Sequence, residues 1–173
     1  TRGGTTDLGA RAFLAIARRS GRGGRGIAAA ATARPSAGCA TGAAAAAELV
    51  LYVEQRGASV PNLVATVGML EVPNGSINVV PGRCKFSLDI RATTNEVRDA
   101  CAADVRAELE RICATRGVHF KLEETMRQAA APSAPEWQQR WERAVAALGL
   151  PVFTMPSGAG HDAMKLHETM PQA

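Results

Sequence analysis

The chain has 173 residues, 46% of them apolar, enough for one packed domain and part of a second. It contains no run of about 18 apolar residues, and its start lacks the basic-then-apolar pattern of a secretory signal. These features exclude a membrane-spanning helix and leave the cytoplasm as the expected location. The net charge of +4 hides an asymmetry: residues 1–42 hold seven arginines against Asp7 alone, whereas the rest carries 13 basic and 15 acidic side chains.

Ala, Gly and Arg make up 27 of the first 42 residues, and Phe13, Leu14 and Ile16 are the one hint there of a core-facing element. Such a composition predicts a poorly ordered or poorly packed segment. The run from Arg18 to Gly26 resembles Arg-Gly segments that bind RNA, but no aromatic residue is interleaved for base stacking. Nucleic acid is therefore not an expected partner, and a segment read out of frame from GC-rich codons explains the composition as well. The four cysteines, Cys39, Cys84, Cys101 and Cys113, form no Cys-x-x-Cys pair and are expected as free, mostly buried thiols.

From residue 43 the pattern is that of a globular protein. Ala43–Val53 is strongly helix-forming, with Gly57 where a C-terminal cap belongs. Leu63–Val72 predicts a strand, Pro73-Asn74-Gly75 a tight turn, and Ile77–Ile90 a second strand with a bulge or bend at Pro81-Gly82. In that second strand Cys84, Phe86, Leu88 and Ile90 alternate with Lys85, Ser87, Asp89 and Arg91, the signature of a half-buried strand. Thr93-x-x-Glu96 reads as a capping box. Val97, Cys101, Val105, Leu109 and Ile112 then recur at helical spacing before Gly117. Val118–Glu123 predicts a strand, Ala129–Pro135 a linker, and Glu136–Leu148 a helix. Helix, strand, strand, helix, strand suits an α+β sandwich, an antiparallel sheet with helices on one face, that lacks the first strand of a βαββαβ unit.

Three stretches carry a resemblance: Ala65-Thr66-Val67-Gly68, Pro73–Arg83 and Phe86–Arg91. Together they are similar to the ferredoxin-like lid (dimerisation) domain of the allantoate amidohydrolase, N-carbamoyl-L-amino-acid hydrolase and β-ureidopropionase family. Ser157–Ala163 is similar to the loop with which that family re-enters its α/β catalytic domain. The resemblance implies a lid at residues 43–128 and a partial catalytic domain at 129–173. It also implies a homodimer through the lid and a hydrolase acting on a ureido or amide C–N bond of a small carboxylate substrate.

The family uses two divalent metals, zinc or manganese, to activate a bridging water. The motifs that supply their ligands are absent here, since the histidines are His119, His161 and His167. The chain is therefore expected to be an incomplete piece without a metal site or catalytic residues, inactive alone. The substrate-binding set is better represented. The resemblance assigns the carboxylate grip to Asn78 and Arg91, and backbone approach to the substrate to Gly158 and Gly160, with His161 as an active-site neighbour. From alternation alone Arg91 reads as a solvated residue on the polar face of its strand, and the motif match reverses that. The alternative functions are a non-catalytic dimerisation module and, more remotely, a basic RNA-binding protein.

Overall fold

One strand organises the fold, because its alternating side chains divide the molecule into a helical side and an open side. The computed structural model describes residues 6–7, 13–19, 42–78, 80–81, 83–157 and 163–171. In chain order the elements are β1 (Thr6–Asp7), β2 (Phe13–Arg19), α1 (Gly42–Ala58), β3 (Val64–Glu71), β4 (Arg83–Arg91), α2 (Asn95–Arg116), β5 (Val118–Glu124), β6 (Ala131–Pro132), α3 (Pro135–Ala147) and α4 (Ala163–Leu166). Four strands form one antiparallel sheet in the order β3-β4-β2-β5. Two helical crossovers, β2-α1-β3 and β4-α2-β5, complete a ferredoxin-like α+β sandwich.

The first strand, which the sequence reading leaves missing, is therefore present. Phe13–Arg19 lies inside the sheet, with Phe13 opposite Leu88 on one side and Glu124 on the other. The Arg- and Ala-rich composition conceals it, because pairing on both sides, not intrinsic strand propensity, holds it there.

Cys84, Phe86, Leu88 and Ile90 of β4 are buried against Ala45, Ala46, Leu49 and Val53 of α1 and Cys101, Val105, Leu109 and Ile112 of α2. Each large side chain buried in this way contributes about 1.5–3 kcal/mol. Cys84, Cys101 and Cys113 are free, buried thiols, and burial pushes each of them up from its ordinary pKa. Cys39 lies outside the described residues.

Several local expectations shift. The cap of α2 is Thr94, not Thr93: its backbone is extended and its Oγ1 accepts the Val97 N–H at 3.4 Å. Gly117 closes the same helix at φ 62°, a conformation that favours glycine. Gly57 is not a cap but a buried residue of α1, where an added Cβ would meet the Ala65 Cβ and backbone nitrogen at 3.2 Å. The β3–β4 ladder slips between Thr66 and Met69, and β4 begins only at Arg83, so Ile77 and Asn78 lie in a turn rather than a strand. Gly82 is outside the described residues.

Beyond β5 the chain returns along α2. Arg98, 6% exposed, donates to Asp99 Oδ1 at 2.8 Å, to Asn95 Oδ1 at 2.9 Å and to the carbonyl of Gln128. Arg127 reaches Asp99 Oδ2 at 2.7 Å. The segment then pairs through β6 with β1, Thr6 opposite Pro132 and Asp7 opposite Ala131. The helix α3 has no buried residue, and Trp141, Leu148 and Phe153 expose apolar surface around it.

Candidate functional site

The half of β4 that turns away from the helices carries the candidate site. Because Phe86, Leu88 and Ile90 point into the core, Ser87, Asp89 and Arg91 point to the open face. Across the ladder Asp89 faces Thr66, and Arg91 faces Val64 at the start of β3. These side chains, with Gly68, line a shallow cavity of about 440 Å³. Gly68 contributes no side chain, and the ladder shifts register beside it, between Thr66 and Met69.

Asp89 governs the electrostatics of the cavity. Its Oδ2 accepts from Arg91 Nη2 at 2.6 Å and from Nε at 3.1 Å. The two side chains are 29% and 27% exposed, so the pair is screened less than one on the surface. The hydrogen bond from Arg91 to Asp89 raises the already high guanidinium pKa, so Arg91 is a permanent cation. The other oxygen, Asp89 Oδ1, is buried and has no hydrogen-bond donor among the described residues. A planar guanidinium with five donors beside an open, partly apolar cavity is suited to binding a carboxylate.

Asn78 lies elsewhere. It sits exposed in the β3–β4 connection, beyond the Glu71–Lys85 pair, and its Oδ1 accepts from Ser76 Oγ at 3.1 Å. Arg91 stands at the opposite end of the hairpin, about 20 Å along β4 from Lys85 at the usual rise per residue. Asn78 does not line the Arg91 cavity. The preceding turn closes with the Gly75 N–H on the Val72 carbonyl at 3.2 Å and has Asn74 at φ 57°, where Asn is tolerated. Gly158, Gly160 and His161 lie outside the described residues.

Among the described residues no three His, Cys, Asp or Glu side chains converge on one point. His119 is exposed on β5, and His167 follows α4. The described residues therefore do not fit a binuclear metal centre. Sequence reasoning missed Asp89 as the partner of Arg91, although their i, i+2 spacing on one strand already set both on one face.

Residues 11–116 match the peptidase dimerisation domain of the M20 family. The chain belongs to that family. It is 37% identical to an N-carbamoyl-L-amino acid amidohydrolase of Geobacillus stearothermophilus, over 74% of this chain and 31% of the relative. To an allantoate amidohydrolase of Bacillus subtilis it is 30% identical, over 61% of this chain and 26% of the relative. The chain thus spans about a third or less of these curated relatives. A crystal structure of a putative amidohydrolase/peptidase from Burkholderia cenocepacia superposes with a TM-score of 0.78 at 32% identity, covering 97% of this chain and 40% of the other. No helix among the described residues is long and apolar enough to cross a membrane.

Proposed function

We propose that this M20 dimerisation domain is the substrate-gripping lid of an amidohydrolase that cleaves a ureido or amide C–N bond of a small carboxylate, such as allantoate or an N-carbamoyl amino acid. The observation that carries this reading is the position of Arg91, fixed by Asp89 at the rim of a cavity on the open sheet face. The amidohydrolase names of the relatives supply the substrate class. Arg91 takes the substrate carboxylate. Gly158 and Gly160 complete the proposed substrate-binding set around Arg91, with His161 as its neighbour. Divalent metals would activate the water in such an enzyme, held by residues other than those described. The reading also includes a cytoplasmic location.

Calorimetric titration of the 173-residue chain with N-carbamoyl-L-alanine tests it. Arg91→Ala should weaken binding by about 10- to 150-fold, the range expected when a hydrogen-bonded charge is removed. Arg91→Lys should restore only part of the affinity, since an ammonium keeps the charge and loses the fork. The corresponding primary amide, which has no carboxylate, should be nearly indifferent to either change. Equal losses on both ligands would reduce Arg91 to a support of its strand.

A second reading, a dimerisation module, is favoured by a different observation. The strand β3, at the edge of the sheet among the described residues, exposes Val64, Met69 and Leu70, with exposed Val72 just past its end. The two readings are compatible, with homodimerisation through β3 leaving the Arg91 cavity on the sheet face.

A further inference from the structure

We propose that the tip of the β3–β4 connection is a site of spontaneous, backbone-assisted deamidation, with Asn74 as the residue that is converted. The turn itself selects the reactive pair. Pro73 and Asn74 are its central residues, and the Gly75 N–H closes it on the Val72 carbonyl at 3.2 Å. Asn74 stands at φ 57°, a conformation that asparagine and glycine adopt more readily than other residues. At position 75 an added Cβ would meet Val72 Cγ1 at 3.2 Å and the Val72 carbonyl oxygen at 3.3 Å, which favours glycine there. The backbone thus calls for asparagine followed by glycine. Asparagine is chemically labile, and a glycine after it leaves the next amide nitrogen least shielded.

The Gly75 nitrogen adds to the side-chain carbonyl carbon of Asn74 and gives up its proton, and ammonia leaves as a cyclic succinimide closes. Water, the only co-reactant, then opens the ring. Attack at the side-chain carbonyl leaves an ordinary aspartate, whereas attack at the backbone carbonyl leaves isoaspartate, in which the main chain runs through the side-chain carbon. Asn74 and Gly75 are both exposed, so water reaches them. The nitrogen must first come off Val72. The tip lies past Glu71–Lys85, the last pair of the ladder, where local opening needs least energy. The other asparagines, Asn62, Asn78 and Asn95, precede Leu63, Val79 and Glu96 in the sequence, and any residue larger than glycine hinders approach to its own nitrogen. The side-chain oxygens of Asn78 and Asn95 are also held, by Ser76 and Arg98. Conversion sets an anion at the tip, and isoaspartate lengthens the main chain of the turn, so its closing hydrogen bond is lost.

Peptide mapping by mass spectrometry tests this on the 173-residue chain, incubated at neutral pH and body temperature in heavy-oxygen water. The Asn74 amide should be replaced by a labelled carboxyl, with isoaspartate in excess over aspartate, while Asn62, Asn78 and Asn95 stay intact over the same period. Gly75→Ala should lose most of the conversion, because a methyl group shields the nitrogen even as it strains the turn. Undiminished conversion in that variant would overturn the attack by the Gly75 nitrogen. Aspartate without isoaspartate would mean direct hydrolysis of the side chain and overturn the backbone route. Comparable conversion at the other asparagines would overturn the selection by the turn. An Asn74 that stays intact in the folded chain, whether or not it converts in urea, would show that the turn protects the pair and would overturn the proposal. The products formed at Asn74 in the native chain decide the question even if the alanine variant does not fold.

Discussion

The side chain of Asn95, the first residue of α2, accepts the backbone N–H of Ala130 at 2.9 Å. The same oxygen accepts from Arg98 at 2.9 Å, so one amide ties the start of the helix both to its own next turn and to a chain segment 35 residues away. With Arg98 on the Gln128 carbonyl and Arg127 on Asp99, this clasp fastens residues 127–130 to the lid. Backbone groups in a connecting segment need partners when it is partly buried, and here side chains of a helix provide them.

Asn95→Ala should release that segment. Two hydrogen bonds are lost and the Ala130 N–H is left without its acceptor, so a loss of about 1–3 kcal/mol is expected in denaturant unfolding. Hydrogen exchange at Gln128 and Ala130 should accelerate far more than exchange in β4. Unchanged protection at Ala130 would show that the clasp does not hold the linker.

Acid should loosen the clasp. The hydrogen bond from Arg98, aided by Arg127, holds the Asp99 carboxyl below its ordinary pKa. A group whose folded pKa is depressed contributes stability that is full above its unfolded value and is lost as pH falls through the folded one. Stability from Asp99 is therefore constant at neutral pH and declines only below the usual aspartate range. Carbon-detected NMR of the Asp99 carboxyl should report a midpoint below that of an exposed aspartate. In Arg98→Met the midpoint should rise toward the ordinary value.

The core prediction concerns the strand that divides the molecule. Phe86 is the largest of the fully buried side chains, enclosed between the sheet and both helices. Phe86→Ala should cost about 3–5 kcal/mol, through lost transfer energy and the cavity left behind. Leu51 is exposed on α1, and Leu51→Ala should change stability by less than about 0.5 kcal/mol. Similar effects at both positions in thermal unfolding would contradict this account of the core.

Self-association through β3 is testable without touching the cavity. Leu70 faces Phe86 across the ladder yet is exposed, and Met69 beside it is exposed as well. Met69→Lys with Leu70→Lys should shift sedimentation from dimer to monomer at micromolar concentration, since charge on an edge strand blocks pairing. The melting transition of the monomer itself should move little. A dimer that survives both lysines uses another surface.

Elements with strong local periodicity were legible from the residues alone. Helix α2 announces itself through Val97, Cys101, Val105, Leu109 and Ile112, and β4 through its alternation, because each pattern records which face meets the core. Its cap was misread by one residue because Thr93 and Thr94 carry the same hydroxyl, and the extended backbone at Thr94 selects between them. Features that depend on distant partners were not legible. Arg98 occupies a polar-looking helix position, and nothing local reveals that a carbonyl 30 residues later will bury it. The proposed role of Arg91 rests, in the sequence, on its motif alone. Its partner Asp89 and the cavity they share depend on the pairing of β3 with β4.

The strand β2 has one more consequence, for the order in which the molecule folds. Both of its neighbours, β4 and β5, come from chain made long after it, so each of its pairings closes a loop of roughly 65–110 residues, a slow class of contact. The β3–β4 hairpin closes over a short connection and can form early. The centre of the sheet is thus the part that must wait longest for its partners. Until β2 is inserted, β4 and β5 each present a bare edge, and a chain stalled at that stage is open to pairing with another copy of itself.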